Sequence, residues 1–143
     1  MSSRKIIHRG FVLVFLLGGA GCMTGAMKVP MTAAANMPAA EGTVTATRTS
    51  NENIALEVQV RHLAHPEKVE QGASTYVVWA RPMGQAVPQN LGALKVDRNL
   101  DGMLSTVTPY KEFQVFITAE PTEAAVTPTG QQLLLASVRP TAY

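Results

Sequence analysis

A single cysteine, Cys22, is present in this 143-residue chain, so no intramolecular disulfide can form and the fold must rest on its packed core. Aromatic residues are also scarce, with one Trp, three Tyr and four Phe. Charged residues make up only 15% of the chain. From Lys28 to Arg139 the basic ones stand singly, interleaved with Glu, so no basic stripe is available to track a phosphate backbone, and nucleic-acid binding is excluded. The strongly apolar run at residues 11–17 is seven residues long, far short of the roughly 20 that a spanning helix requires.

That short run is preceded by Arg4, Lys5 and Arg9 and followed by Gly18, Gly19, Ala20 and Gly21. A basic n-region, a brief apolar core and a small-residue cleavage region are the parts of an export signal. Ala20-Gly21-Cys22 resembles the lipobox of bacterial lipoproteins, departing from it at Gly19, where a larger apolar residue is usual. The reading is a signal peptide over residues 1–21 and a lipidated Cys22, with acyl chains such as palmitate holding the protein to a membrane. Met23, in place of the Asp that often marks inner-membrane retention, points to the outer membrane of the cell envelope. The alternative is an uncleaved signal anchor, since no charge interrupts residues 10–27, although its glycines make a poor spanning helix. Removing the three signal charges leaves 9 basic against 10 acidic residues, a nearly neutral mature chain.

Residues 22–41 combine the lipidated cysteine with a stretch of Ala, Met, Thr, Gly and Pro, which reads as a flexible tether. Its methionines, Met23, Met27, Met31 and Met37, could be imagined as copper ligands, but no histidine stands near them to share the ion. From residue 42 to 143 the pattern becomes that of one domain. Seven candidate strands follow, at residues 43–49, 54–61, 75–80, 91–96, 103–107, 113–120 and 131–138. The second is the cleanest, with Ile54, Leu56, Val58 and Val60 alternating with Ala55, Glu57, Gln59 and Arg61. The third is apolar on both sides and reads as central, with Trp79 as a core residue or, alternatively, a surface platform for a sugar or peptide. Turn signals recur every ten residues or so, and no helical period competes, which predicts an all-β fold of two packed antiparallel sheets, a β-sandwich of about seven strands.

Catalytic constellations are lacking. His62 and His65 are the only histidines past the signal, no serine lies in a nucleophile elbow, and there is no Gly-rich phosphate loop. The expectation is a protein without enzymatic activity and without a cofactor. One motif carries possible metal chemistry: Asp97, Asn99 and Asp101, followed by Gly102, match the first half of a calcium loop. The twelfth position falls on Thr108, which cannot supply the bidentate carboxylate, so a hairpin turn at Asp101-Gly102 competes with a weak calcium site.

The ordered segments Tyr76-Val77-Val78-Trp79-Ala80, Asn90-Leu91-Gly92-Ala93-Leu94, Thr118-Ala119-Glu120-Pro121 and Pro128-Thr129-Gly130 give the domain its resemblance to the extracytoplasmic C-terminal domain of anti-sigma-K type factors and related small lipoproteins. The resemblance implies an immunoglobulin-like sandwich. The cytoplasmic sigma-binding region and spanning helix of such factors have no counterpart here, so sigma binding is not implied. Taken together, the chain reads as a lipid-anchored interaction or structural module facing the periplasm or the outside, held to the membrane through Cys22 and meeting an envelope protein partner. Its loops at residues 65–73 and 121–130 are the expected contact regions. The alternatives are an envelope sensor and a calcium- or carbohydrate-binding domain.

Overall fold

The alternation at residues 54–61 becomes a strand whose Ile54, Leu56, Val58 and Val60 are buried while Glu57, Gln59 and Arg61 face water. The same rule of two sets the other strands in a computed structural model that describes residues 25–139. They are β1 (Met27–Ala33), β2 (Glu41–Arg48), β3 (Ile54–Arg61), β4 (Thr75–Pro82), β5 (Gln89–Val96), β6 (Gly102–Thr108), β7 (Phe113–Glu120) and β8 (Leu134–Val138), with one short helix, α1 (Pro66–Val69), between β3 and β4. The all-β, antiparallel expectation holds, and all seven anticipated strands form. The turn expected at Asp101-Gly102 lies slightly earlier, because Gly102 already belongs to β6 and pairs with both Val60 and Val96.

Two expectations are corrected. The sheet is a closed barrel in the order β1-β2-β3-β6-β5-β4-β7-β8, and not a seven-stranded immunoglobulin-like sandwich. The eighth strand comes from the segment expected to be a flexible tether: Met27–Ala33 pairs along β2, from Met27 opposite Ala46 to Met31 opposite Gly42. The domain therefore starts at β1 and not at residue 42. Met27, Val29 and Met31 do alternate, but in a Met, Ala, Thr and Pro background that carries little strand propensity. Burial against the neighbouring strands supplies what propensity does not, and Pro30 is tolerated because β1 is paired on one side only over residues 27–31. The expected signal peptide and Cys22 lie outside the described residues.

Closure depends on two strands that change partners along their length. β1 leaves β2 after Met31 and reaches β8 through Thr32 and Ala33. β5 pairs with β4 from Gln89 to Leu94, then with β6 through Lys95 and Val96. A glycine stands at each of these corners. A Cβ on Gly42 would sit 2.8 Å from Leu134 Cδ2 and Met31 Sδ, and one on Gly102 would sit 2.7 Å from Leu94 Cδ2. The chain bends where no side chain obstructs the crossing strand.

The interior is filled by Val44, Ile54, Leu56, Val58, Tyr76, Val78, Phe113, Val115, Ile117, Leu134 and Val138, all essentially inaccessible to water. The outer wall of β2, β3 and β6 presents polar rows such as Thr45, Glu57 and Ser105 side by side. Rows like this one differ from the apolar band that faces lipid in a spanning barrel. No helix among the described residues is long and apolar enough to cross a membrane.

Candidate functional site

Trp79 is fully buried, as expected of a core residue, but it does not lie in the barrel interior. Tyr76, Val78 and Ala80 take the inward positions of β4, so Val77 and Trp79 point outward. With Phe116 of β7 they form a second, smaller apolar cluster on the outer wall, against which Ala125 and Leu135 pack. The Trp79 and Phe116 rings stack with centroids 6.4 Å apart, and the Arg81 guanidinium lies 4.7 Å from the centre of the Phe116 ring. With no exposed face, Trp79 offers no platform to a sugar.

What covers this cluster is the long β7 to β8 connection, and a buried carboxylate fastens it. Glu120, at the end of β7, has no solvent exposure. Its Oε1 accepts hydrogen bonds from the Thr118 hydroxyl at 2.5 Å, the Thr129 amide at 2.9 Å and the Gly130 amide at 3.2 Å, while Oε2 accepts one from the Thr129 hydroxyl. The Trp79 indole N–H donates to Thr118 Oγ1 at 2.8 Å, so the chain of bonds runs from the apolar cluster to the loop. Burial pushes the Glu120 carboxyl up, but the bonds from Thr118, Thr129 and Gly130 outweigh it and hold the group below its ordinary range. The turn has room for glycine alone at residue 130, where a Cβ would lie 2.3 Å from the Ala119 carbonyl oxygen. Further along, Asn90 of β5 donates through Nδ2 to the Glu123 and Ala125 carbonyls. Thus Asn90, Thr118, Glu120, Thr129 and Gly130 build one latch.

Both expected contact loops meet at one rim of the barrel. A shallow groove of about 430 Å³ is lined by His65, Pro66 and Glu67 on one side, by Glu123 on the other, and by parts of β4 and β5 between them. Tyr76 holds the first of these segments in place, donating its hydroxyl to the Ala64 carbonyl at 2.6 Å. Burial, with Glu67 nearby, pushes the Tyr76 pKa up to about 12, so this donor keeps its proton through the neutral range. Leu63 anchors the same segment from below, fully buried, its amide bonded to the Leu100 carbonyl at 2.9 Å. His62 takes a left-handed backbone conformation, φ 57°, and points into solvent beside Leu63.

The Asp97, Asn99 and Asp101 motif lies on the β5 to β6 turn. Asp97 Oδ1 accepts hydrogen bonds from the Asn99 amide at 2.8 Å and the Asp101 amide at 3.0 Å, and the backbones of Asp97 and Asp101 bond directly at 2.8 Å. The carboxylate that would open a calcium loop is thus engaged in closing a hairpin, with Leu100 in the left-handed position at φ 64°. Among the described residues no group of three or more His, Cys, Asp or Glu is placed to hold a metal ion.

Sequence reasoning placed the loops and Trp79 but missed Glu120. A buried carboxylate at a strand end has no signal in periodicity, and only the Thr-x-Glu spacing with a later Thr-Gly hints at it. No protein-family model and no curated protein matches the chain.

Proposed function

We propose that the protein is a non-catalytic interaction module of the bacterial cell envelope, anchored by lipid on Cys22, and that the groove between residues 65–67 and Glu123 receives an envelope protein partner. The observation that carries this reading is the convergence of two loops, far apart in sequence, on one groove at the rim opposite the chain's entry into β1. Both loops are fixed from beneath, one by Tyr76 and Leu63 and the other by Glu120, so the surface is preformed and association orders little chain. Carboxylates outnumber basic groups at this rim, which favours a partner presenting Lys or Arg.

The sensor reading draws on the resemblance to anti-sigma-K type ectodomains. Of the residues that carry it, Tyr76, Val78 and Ala80 fill the barrel interior and Asn90, Thr118, Glu120, Thr129 and Gly130 build the latch, so they serve the fold more than a surface for a signal.

A photo-crosslinking amino acid at Glu67 or Glu123 in the full-length, membrane-borne protein tests the groove. A discrete adduct is expected from these positions, lost when the charge of the other groove residue is reversed, and absent from Gln59 on the outer wall. Equal adducts from Gln59, or none from the groove, would remove the proposal.

A further inference from the structure

We infer that the rim at which β1 begins, led by the apolar turn between β4 and β5, rests on the bilayer surface and inserts Met83 and Val87 among the lipid headgroups. This inference rests on the reading of Cys22 as the lipid anchor and adds which face of the barrel meets the membrane.

Reach comes first. Cys22 precedes Met27 by five residues, a span of at most about 17 Å. Met27 lies opposite Ala46, two residues from the end of β2, so it enters low on the barrel wall. A strand rises about 3.3 Å per residue, which puts the rim at Arg48 roughly 7 Å below Met27 and the far end of β1 about 20 Å above it. Strand tilt shortens both heights, so the near rim lies well within the reach of Cys22 and the far rim only at its limit, and an anchor there favours the near rim at the bilayer.

That near rim is also the one with exposed apolar groups. It is made of the β2–β3, β4–β5 and β6–β7 connections and the exit of β8, as the pairings of Arg48 with Ile54, Ala80 with Gln89, Pro82 with Phe113 and Phe113 with Val138 require. Five large apolar side chains stand exposed among the described residues, and three are here: Met83, Val87 and, one residue up the wall, Val107. The Met83 amide is bonded to the Glu112 carbonyl at 3.1 Å, and the Gln85 amide to the Pro82 carbonyl at 3.1 Å, so the turn is tied to the end of its own strand and to the β6–β7 connection.

Charge divides the same way. At the near rim Arg48, Arg81, Lys111 and Arg139 outnumber Glu52 and Glu112, for a net +2. Across the opposite connections, residues 34–41, 61–75, 95–102 and 120–133, six carboxylates besides the buried Glu120 outnumber four basic groups, for a net −2 at the surface. An anionic bilayer attracts the first rim and repels the second. The groove proposed to take a protein partner then faces away from the lipid.

The test uses the full-length protein, purified from membranes and reconstituted in vesicles of phosphatidylethanolamine and phosphatidylglycerol, with intact mass confirming loss of residues 1–21 and addition of acyl chains. Single substitutions Met83→Cys, Val87→Cys and Arg98→Cys are each labelled with an environment-sensitive fluorophore, the acylated Cys22 being unreactive. Labels at 83 and 87 should shift to the blue and show about a fivefold lower quenching constant for aqueous iodide than the label at 98. Raising salt should reduce the difference, since part of the attraction is screened. Acylated protein whose labels at 83 and 87 are quenched as freely as that at 98 would overturn the orientation while leaving the anchor intact. A mass without acyl chains, in protein that does not sediment with vesicles, would overturn both.

Discussion

Replacing Glu120 by Gln keeps the shape of the side chain and removes its charge. In the native protein this carboxylate is fully buried, has no basic partner among its hydrogen bonds, and is satisfied by four donor groups, the hydroxyls of Thr118 and Thr129 and the amides of Thr129 and Gly130. Hydrogen bonds to a charged acceptor contribute about 1.5–3 kcal/mol each against about 1 for neutral ones. Glutamine can retain the bonds at Oε1 but presents an amide donor where the Thr129 hydroxyl now donates. Weakening several bonds by a few tenths and turning one around sums to about 2 kcal/mol. With an m-value of about 1.5 kcal/mol/M in urea, the unfolding midpoint should fall by about 1.3 M. Trp79 is the only tryptophan and lies beneath the latched loop, so its emission reports the latch while circular dichroism reports the barrel. In the variant the emission should move to the red at lower urea than the loss of strand signal. Acid supplies a second arm. The folded carboxyl titrates below its ordinary value, so its contribution is present above about pH 4 and disappears as pH falls through the lower folded value. Wild-type stability should therefore drop toward that of Glu120→Gln as pH falls below about 4. Coincident fluorescence and dichroism transitions, with a midpoint unchanged within about 0.3 M, would refute the idea that Glu120 fastens the loop.

Two further perturbations probe other parts of the framework. Tyr76 titrates near 12 when folded and near 10 when free, so the folded state holds an extra proton in that window and stability should decline as pH rises through it; Tyr76→Phe should flatten this alkaline limb while costing about 1 kcal/mol at neutral pH for the lost bond to the Ala64 carbonyl. At the corner between β5 and β6, Gly102→Ala should destabilise by about 1–3 kcal/mol in thermal melts, because its Cβ would enter within 2.7 Å of Leu94, and pairing it with Leu94→Ala should cost less than the two single changes added together. Exact additivity would show that the two positions do not share the space.

Much of this protein was legible in its residues. Alternation and, at Thr75 to Ala80, a continuous apolar run located seven strands, because a strand with one face buried must repeat with period two whatever it packs against, and Ile54 to Arg61 shows that period without interruption. Scarce charge, a single cysteine and only two histidines past the signal, His62 and His65, set bounds on chemistry for the same local reason. Closure could not be read this way. Whether seven strands stop as two sheets or an eighth joins their edges depends on Thr32 and Ala33 finding Leu135 and Leu134, more than a hundred residues away, and the Met and Pro of β1 give no local warning. Burial of Trp79 was foreseeable from its apolar neighbours, yet only the folded β7 to β8 connection makes the outer face of β4 a second interior. Glu120 is the clearest division between the two levels. In sequence it is one more carboxylate at the end of a strand; its charge is tolerated without solvent only because the folded chain turns Thr129 and Gly130 back upon it, and that arrangement of donors exists nowhere but in the tertiary structure.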